Sequence, residues 1–167
     1  MQSFKEKLNK TFDYINGGLY WKIKHSRGVT IGQRAGCYSA FHNRRSIRFN
    51  GVLYKEYNLI WIYHNGDIPI GLEVDHIDRD PMNNRIENLR LGTHAQNGYN
   101  LSISKKNTSG YKGVSFNKKK NMWESALMFN YKRIALGFFD DKNEAAKAYN
   151  EGARKYYGEF ANLNIIK

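Results

Sequence analysis

One stretch constrains this chain more than any other: Leu72-Glu73-Val74-Asp75-His76-Ile77-Asp78, followed by Asn83-Asn84-Arg85-Ile86-Glu87-Asn88-Leu89-Arg90-Leu91. It sets a carboxylate beside an imidazole on a short β-branched run, and a turn-rich loop then returns the chain to a second apolar run. Asn88 follows His76 by 12 residues, and Asn97 follows Asn88 by 9. Neighbouring strand residues point to opposite faces, so Asp75 and His76 address two sides of one group unless the strand twists or bulges there. A near-neutral imidazole is a natural proton acceptor. Asp75 and Asn97 offer oxygen donors of the kind Mg²⁺ takes while keeping some of its waters. A general base beside one hard cation is the chemistry of phosphodiester hydrolysis.

The charge balance points to the same class of partner. Lys plus Arg number 27 against 15 Asp plus Glu, a net +12 over 167 residues. Nucleic acid is the anion that most simply accounts for this excess. A membrane surface fits less well, because the basic residues do not gather on one amphipathic helix. Both halves share the charge, net +5 over residues 1–103 and net +7 over residues 104–167. Hydrophobic content of 41% with 14% aromatics is enough for globular cores. The single cysteine, Cys37, excludes an internal disulfide and a CxxC zinc knuckle and suits a reducing compartment. No apolar run reaches the ~18 residues a membrane span needs. Met1-Gln2-Ser3-Phe4-Lys5 leads into polar residues, so no signal peptide is expected.

Periodicity then divides the chain. The first 50 residues read as short strands, including Leu19 to Ile23 and Arg45 to Phe49 before an Asn50-Gly51 turn. Tyr54 to His64 carries apolar positions at 57, 60, 61 and 63–64, which predicts a helix ended by Asn65-Gly66. Val74 to Ile77 and Leu89 to Leu91 read as two strands joined by a loop, and Thr93 is placed to cap a helix running to about Leu101. The polar, basic segment 104–110 reads as a linker. Beyond it, Tyr111 to Phe116, Met122 to Asn130 and Arg133 to Phe138 are strand-like, with turns at 117–121 and at Asn130-Tyr131. Asp141 and Glu144 have capping-box spacing before an apolar stripe of Ala145, Ala146, Ala148, Tyr149, Ala153, Tyr156 and Tyr157.

Residues 54–100, above all Glu73 to Asp78 and Asn83 to Arg90, resemble the HNH nuclease family, in the form found in phage and intron homing endonucleases. The resemblance implies a ββα-metal (His-Me finger) fold centred on residues 72–101. It implies that His76 is the general base, that Asp75 is a metal ligand, and that Asn88 ties the two strands together through backbone hydrogen bonds. The last ligand position, often His, falls on Asn97, which favours Mg²⁺ or Mn²⁺ over Zn²⁺. Tyr57 stands where relatives often carry His. Arg85 and Arg90 are candidate phosphate contacts. His25, His42, His64 and His94 are read as surface or packing groups, His94 being the one near enough to Asn97 in sequence to face the site.

Residues 108–164 resemble the DNA-binding domain of plant ethylene-response factors, the Apetala family. The matching residues are Tyr111-Lys112-Gly113-Val114, Trp123 to Leu127, Leu136 to Phe139, Glu144 to Tyr149 and Asn162-Leu163-Asn164. The resemblance implies a three-stranded sheet lying in the major groove with a helix behind it. It places Lys112 and Arg133 at positions that family uses for bases, while Ser115, Asn117 and Met128 replace its other arginines. Lys118-Lys119-Lys120 reads as a phosphate-binding turn.

The expectation is therefore an α+β protein. Residues 1–103 form a nuclease domain of ββα-metal type preceded by short strands, and residues 111–167 form a three-stranded antiparallel sheet with one packing helix. The chain is expected to be a homing-type endonuclease that cuts double-stranded DNA with one divalent metal, Mg²⁺ or Mn²⁺. It would be phage- or intron-encoded and act in the cytoplasm of a bacterial host, as a monomer or homodimer. The alternative is a non-cleaving, sequence-specific DNA-binding regulator.

Overall fold

A computed structural model describes residues 2–24 and 26–166; His25 lies outside the described residues. Among these residues the protein is mixed α/β, with four α-helices and four small antiparallel sheets. It divides into two compact units, one up to His94 and one from Ala95 onward.

The first unit opens with a helix, α1 (Phe4–Thr11), where the strand-like reading of the first 50 residues expected none. Its signal is a capping box. Ser3 Oγ accepts the Glu6 N–H at 3.2 Å, and the Glu6 carboxylate accepts the Ser3 N–H at 3.0 Å. Two hairpin-like sheets follow. β1 (Phe12–Ile15) pairs with β2 (Gly18–Trp21), and β3 (Cys37–Ser39), β4 (Arg44–Phe49) and β5 (Val52–Lys55) form a sheet with β4 in the middle. Asn50 and Gly51 both have positive φ, the geometry of a tight hairpin turn.

β5 runs directly into α2 (Glu56–Asn65), two residues later than the predicted helix start. The buried positions of α2 are Glu56, Tyr57, Leu59, Ile60 and Ile62. The four apolar ones join Leu8, Phe12, Leu19, Ile47 and Phe49 in one core, in which each fully buried large apolar side chain contributes about 1.5–3 kcal/mol. β6 (Leu72–His76) and β7 (Leu89–Thr93) then pair antiparallel, and a short 3₁₀ turn at Ile86–Asn88 leads into β7.

α3 (His94–Asn100) starts at the last residue of the first unit and packs with the second. The division thus falls ahead of the 104–110 segment that composition marks as a linker. Tyr99 stacks on Tyr157, with ring centres 4.0 Å apart and planes within 10°. The 104–110 segment itself is partly ordered by its side chains: Asn107 Nδ2 donates to Tyr111 O at 2.9 Å, and Ser109 Oγ lies 2.8 Å from Val114 O.

In the second unit β8 (Val114–Asn117), β9 (Met122–Phe129) and β10 (Lys132–Phe139) form a sheet with β9 central. The first strand begins later than the predicted Tyr111, because Gly113 sits at φ +72. A Cβ there would come within 2.1 Å of the Tyr149 ring and 2.6 Å of Ala126 O, so only glycine lets this backbone approach the helix. That helix, α4 (Lys142–Tyr157), begins where Asp141 Oδ1 accepts the N–H groups of Asn143 and Glu144 at 2.7 and 3.1 Å. Its small buried face of Ala145, Ala146, Gly152 and Ala153 allows close packing on the sheet. Burial, with the neighbouring Tyr157 as a second cause, pushes the Tyr149 phenol far above its ordinary range, so it stays neutral.

Candidate active site

The β6–β7 register sets Asp75 opposite Arg90 and His76 opposite Leu89. Strand alternation sends the two side chains to different surroundings, as the sequence requires. Asp75 meets Arg90, whose Nε and Nη2 both reach its Oδ2, at 3.2 and 3.0 Å. Little of either side chain is exposed, which strengthens this pair relative to a surface bridge.

His76 is buried, at 8% exposure. Its ring meets Tyr57 of α2 edge to face, with centres 5.0 Å apart. Its Nε2 lies 2.8 Å from Asn84 Oδ1. Asn84, 2% exposed, donates from Nδ2 to Glu56 Oε2 at 3.1 Å. Glu56 is completely buried at the start of α2, where it also accepts the Leu19 N–H at 3.2 Å and Arg34 Nη2 at 3.2 Å. The Asn16-Gly17 turn of the β1–β2 hairpin closes on the same loop. A Cβ on Gly17 would lie 2.9 Å from Arg85 N.

The rest of the loop is tied by short polar bonds. Asn88 O accepts the Ile77 N–H at 2.9 Å and its Oδ1 accepts the Asp78 N–H at 3.0 Å. Its Nδ2 lies 2.8 Å from both Asp78 Oδ1 and Asn83 O. Asp78 also accepts Asn83 Nδ2 at 2.6 Å and the Asp80 N–H at 2.8 Å. Burial pushes the Asp78 carboxyl up, but the bonds from Asn83, the Asp80 N–H and Asn88, with the nearby His76, outweigh it, and its pKa falls below the ordinary value.

The other candidates are placed as follows. Asn97 is half-buried on α3, in the second unit. His94 is exposed and lies 3.2 Å from Glu73 Oε1. His64, at the end of α2, packs against Tyr14; burial lowers its pKa, with Glu87 raising it and Lys5 lowering it. His42 is exposed beside Phe41. Arg85 is exposed on the loop. The Arg44 guanidinium carbon and the Lys55 ammonium each lie 5.8 Å from the centre of the Tyr57 ring, so two cations flank the aromatic that supports His76. Among the described residues, no cluster of three or more His, Cys, Asp or Glu side chains is arranged to hold a metal ion.

Sequence reasoning missed Glu56, Asn84 and Arg34. The available signal was a glutamate heading an otherwise apolar helix; an acid that opens such a stripe and is then buried needs donors around it.

In the second unit, Lys118, Lys119 and Lys120 form the exposed β8–β9 turn, where Asn117 Oδ1 accepts the N–H groups of Lys119 and Lys120 at 3.1 and 3.2 Å. The Lys120 ammonium sits 3.5 Å over the Phe138 ring. Arg133 pairs with Glu124 at 2.9 Å. Lys112 Nζ donates to Tyr99 O and Leu101 O at 2.6 and 2.7 Å, which ties the end of α3 to this unit.

Residues 58–99, which hold Asp75, His76 and the loop, match the HNH endonuclease family. The chain belongs to that family. It is 36% identical over 102 residues to protein 3.8 of Escherichia phage T7, covering 61% of this chain and 84% of that one. It is 37% identical over 102 residues to an uncharacterized HNH endonuclease of Acanthamoeba polyphaga mimivirus, covering 60% of this chain and 51% of the viral protein. A separate similarity, 37% over 59 residues, links 35% of this chain to 12% of an AP2-like ethylene-responsive transcription factor of Arabidopsis thaliana. No solved structure matches the chain. No helix among the described residues is long and apolar enough to cross a membrane.

Proposed function

We propose that this protein is a divalent-metal-dependent endonuclease of homing type that hydrolyses phosphodiesters of double-stranded DNA. The observation that carries the reading is a buried, oriented His76 next to Asp75 inside the HNH-matched segment. The His76 imidazole takes the proton of the attacking water, a role that suits a near-neutral ring. Asn88 holds the loop closed on β6, so that the ring meets the phosphate in one orientation. Arg85, exposed on the loop, and Arg90, fixed beside Asp75, supply positive charge to the bound backbone.

The donor chemistry fits a hard cation. Asp75 offers a carboxylate and Asn97 an amide oxygen, and both suit Mg²⁺ or Mn²⁺ better than Zn²⁺. The place of Asn97 in this pair rests on the spacing of the family resemblance. Such a cation supplies charge relief at the scissile phosphate.

Residues 1–103 carry the cutting function, as a ββα-metal nuclease domain. Residues 111–167 bind the target through their sheet, with Lys118, Lys119, Lys120 and Arg133 as contacts and Lys112 at their margin. The likeness to a plant transcription factor supports this second role. The net +12 charge supports nucleic acid as the partner of both. The site of action is the interior of a bacterial host, from a phage or intron gene.

A plasmid-nicking assay tests the reading. Supercoiled DNA should be nicked with Mg²⁺ or Mn²⁺ and left intact in excess chelator. Full cleavage in chelator would remove the metal. DNA binding without cleavage under any divalent cation would leave a non-cleaving regulator.

A further inference from the structure

The chain of bonds from Glu56 through Asn84 to His76 has a direction, because its first member can only accept. The three partners of Glu56 are all donors: the Leu19 N–H, Arg34 Nη2 and Asn84 Nδ2. A carboxylate surrounded in this way accepts from each. Asn84 must therefore turn its NH₂ toward Glu56, which leaves its carbonyl oxygen toward His76, 2.8 Å from Nε2. An amide oxygen only accepts, so the neutral imidazole must carry its proton on Nε2, and Nδ1 becomes the basic nitrogen.

We infer that buried Glu56, acting through Asn84, is a positioning residue that fixes His76 as the Nε2–H tautomer and thereby selects Nδ1 as the atom that accepts the proton of the attacking water. The inference rests on the assignment of His76 as general base. Glu56 lies outside residues 58–99, the segment that matches the family, so the relay draws its carboxylate from the start of α2 and from this chain's own core. Its position is held from two further sides. The Leu19 N–H comes from β2 and the guanidinium from Arg34, so the carboxylate cannot turn without breaking bonds to both. Burial makes the arrangement strict. Glu56 and Asn84 are 0% and 2% exposed, and water is poorly placed to substitute for a lost partner.

The directionality gives an unusual expectation for Glu56→Gln. The Leu19 N–H, with Arg34 Nη2 at 3.5 Å, holds the new amide oxygen at the Oε1 position. This sets the NH₂ at the Oε2 position toward Asn84 and obliges Arg34 to leave its 3.2 Å contact there for the oxygen. Two NH₂ groups cannot face each other, so Asn84 flips and presents its own NH₂ to Nε2. His76 must then carry its proton on Nδ1, and the basic nitrogen is lost to catalysis. Adding Asn84→Asp reverses the effect. The amide NH₂ introduced by Glu56→Gln donates to the new carboxylate, which again accepts from Nε2–H.

The test uses the full-length protein, labelled with ¹⁵N in histidine and free of metal, at a pH where the ring is neutral. The His76 resonances are identified by their absence in His76→Gln. Imidazole ¹⁵N shifts report the tautomer without reference to activity. The expected result is Nε2–H in the wild type, a majority of Nδ1–H in Glu56→Gln, and a return to Nε2–H in Glu56→Gln/Asn84→Asp. Plasmid nicking should fall by about 10–100-fold in the single variant, the usual loss for an orienting partner of histidine, and recover in the double variant. A wild type with Nδ1–H, a Glu56→Gln tautomer identical to the wild type, or a double variant that stays Nδ1–H would overturn the relay. A tautomer switch with unchanged nicking would uphold the relay and remove His76 from the general-base role, so the two ideas fail separately.

Discussion

The two units hold their working surfaces by opposite means. In the first, the loop after β6 is fixed by polar bonds: Glu56, Asn84 and His76 on one side, Asp78, Asn83 and Asn88 on the other. In the second, α4 holds the sheet through Ala145, Ala146, Tyr149 and Ala153, with Gly113 tight against the Tyr149 ring. Directional bonds fix which atom faces which, and removing one partner leaves a buried group unsatisfied. Close packing fixes distance and shape and fails through volume. A nuclease centre needs the first kind of order, whereas a surface that lies along a polyanion is served by the second.

The largest effect that would break this contrast is at His76. His76→Ala should lower plasmid nicking by ~10²–10⁴-fold, the usual contribution of a general base. DNA affinity should hold, because the charge that grips the backbone lies elsewhere. Cleavage near the wild-type rate, read from the same gels, would take the polar unit out of the chemistry altogether.

Gly113→Ala probes the packed unit. The new methyl must meet the Tyr149 ring and Ala126 O, at a backbone angle that penalises every L side chain. Strain and overpacking together should remove about 2–5 kcal/mol. The checks are a lower-temperature transition in calorimetry and weaker DNA binding. A variant that melts like the wild type would show that the strand and helix are not locked there.

How much of this was legible in sequence follows the same divide. The turn at Asn50-Gly51, the stripe of α4 and its Asp141 cap were readable because they depend on neighbours a few residues apart. Asp75 and His76 enter as candidates through the resemblance and their place on one short apolar run. α1 was missed although Ser3 and Glu6 spell its capping box, since the apolar content of Phe4 to Thr11 is low. Glu56 was passed over because its partners, Leu19, Arg34 and Asn84, are 37, 22 and 28 residues away, and no local pattern records them. Lys112 was read as a groove contact from the resemblance. Its ammonium also donates to two carbonyls at the end of α3, which only the folded chain brings to it.

A smaller effect sharpens the role of the second unit. Replacing Lys118, Lys119 and Lys120 by Ala should leave the melting temperature nearly unchanged, because these residues are exposed on a turn whose backbone is held by Asn117. It should flatten the dependence of DNA affinity on salt by a slope of roughly 0.9 for each phosphate that is no longer neutralised. An unchanged slope in a binding titration across salt concentrations would move the anchor away from this turn.

The smallest expected effect lies in the polar loop, at Asp78. Its folded pKa is depressed below the ordinary 3.8, so its contribution to stability is complete above 3.8 and fades as the pH falls through that value toward the folded one. The bonds responsible come from Asn83, the Asp80 N–H and Asn88, all of which prefer the carboxylate. Asp78→Asn keeps the shape but removes the titration. Near neutral pH the variant should melt slightly below the wild type, and the two curves should converge as the medium becomes more acid than the ordinary carboxyl value. Melting temperatures recorded across that acid range decide it. A gap that stays constant at every pH would mean that Asn88 and its neighbours close the loop without needing the charge of Asp78. The polar unit would then be held by hydrogen-bond geometry alone.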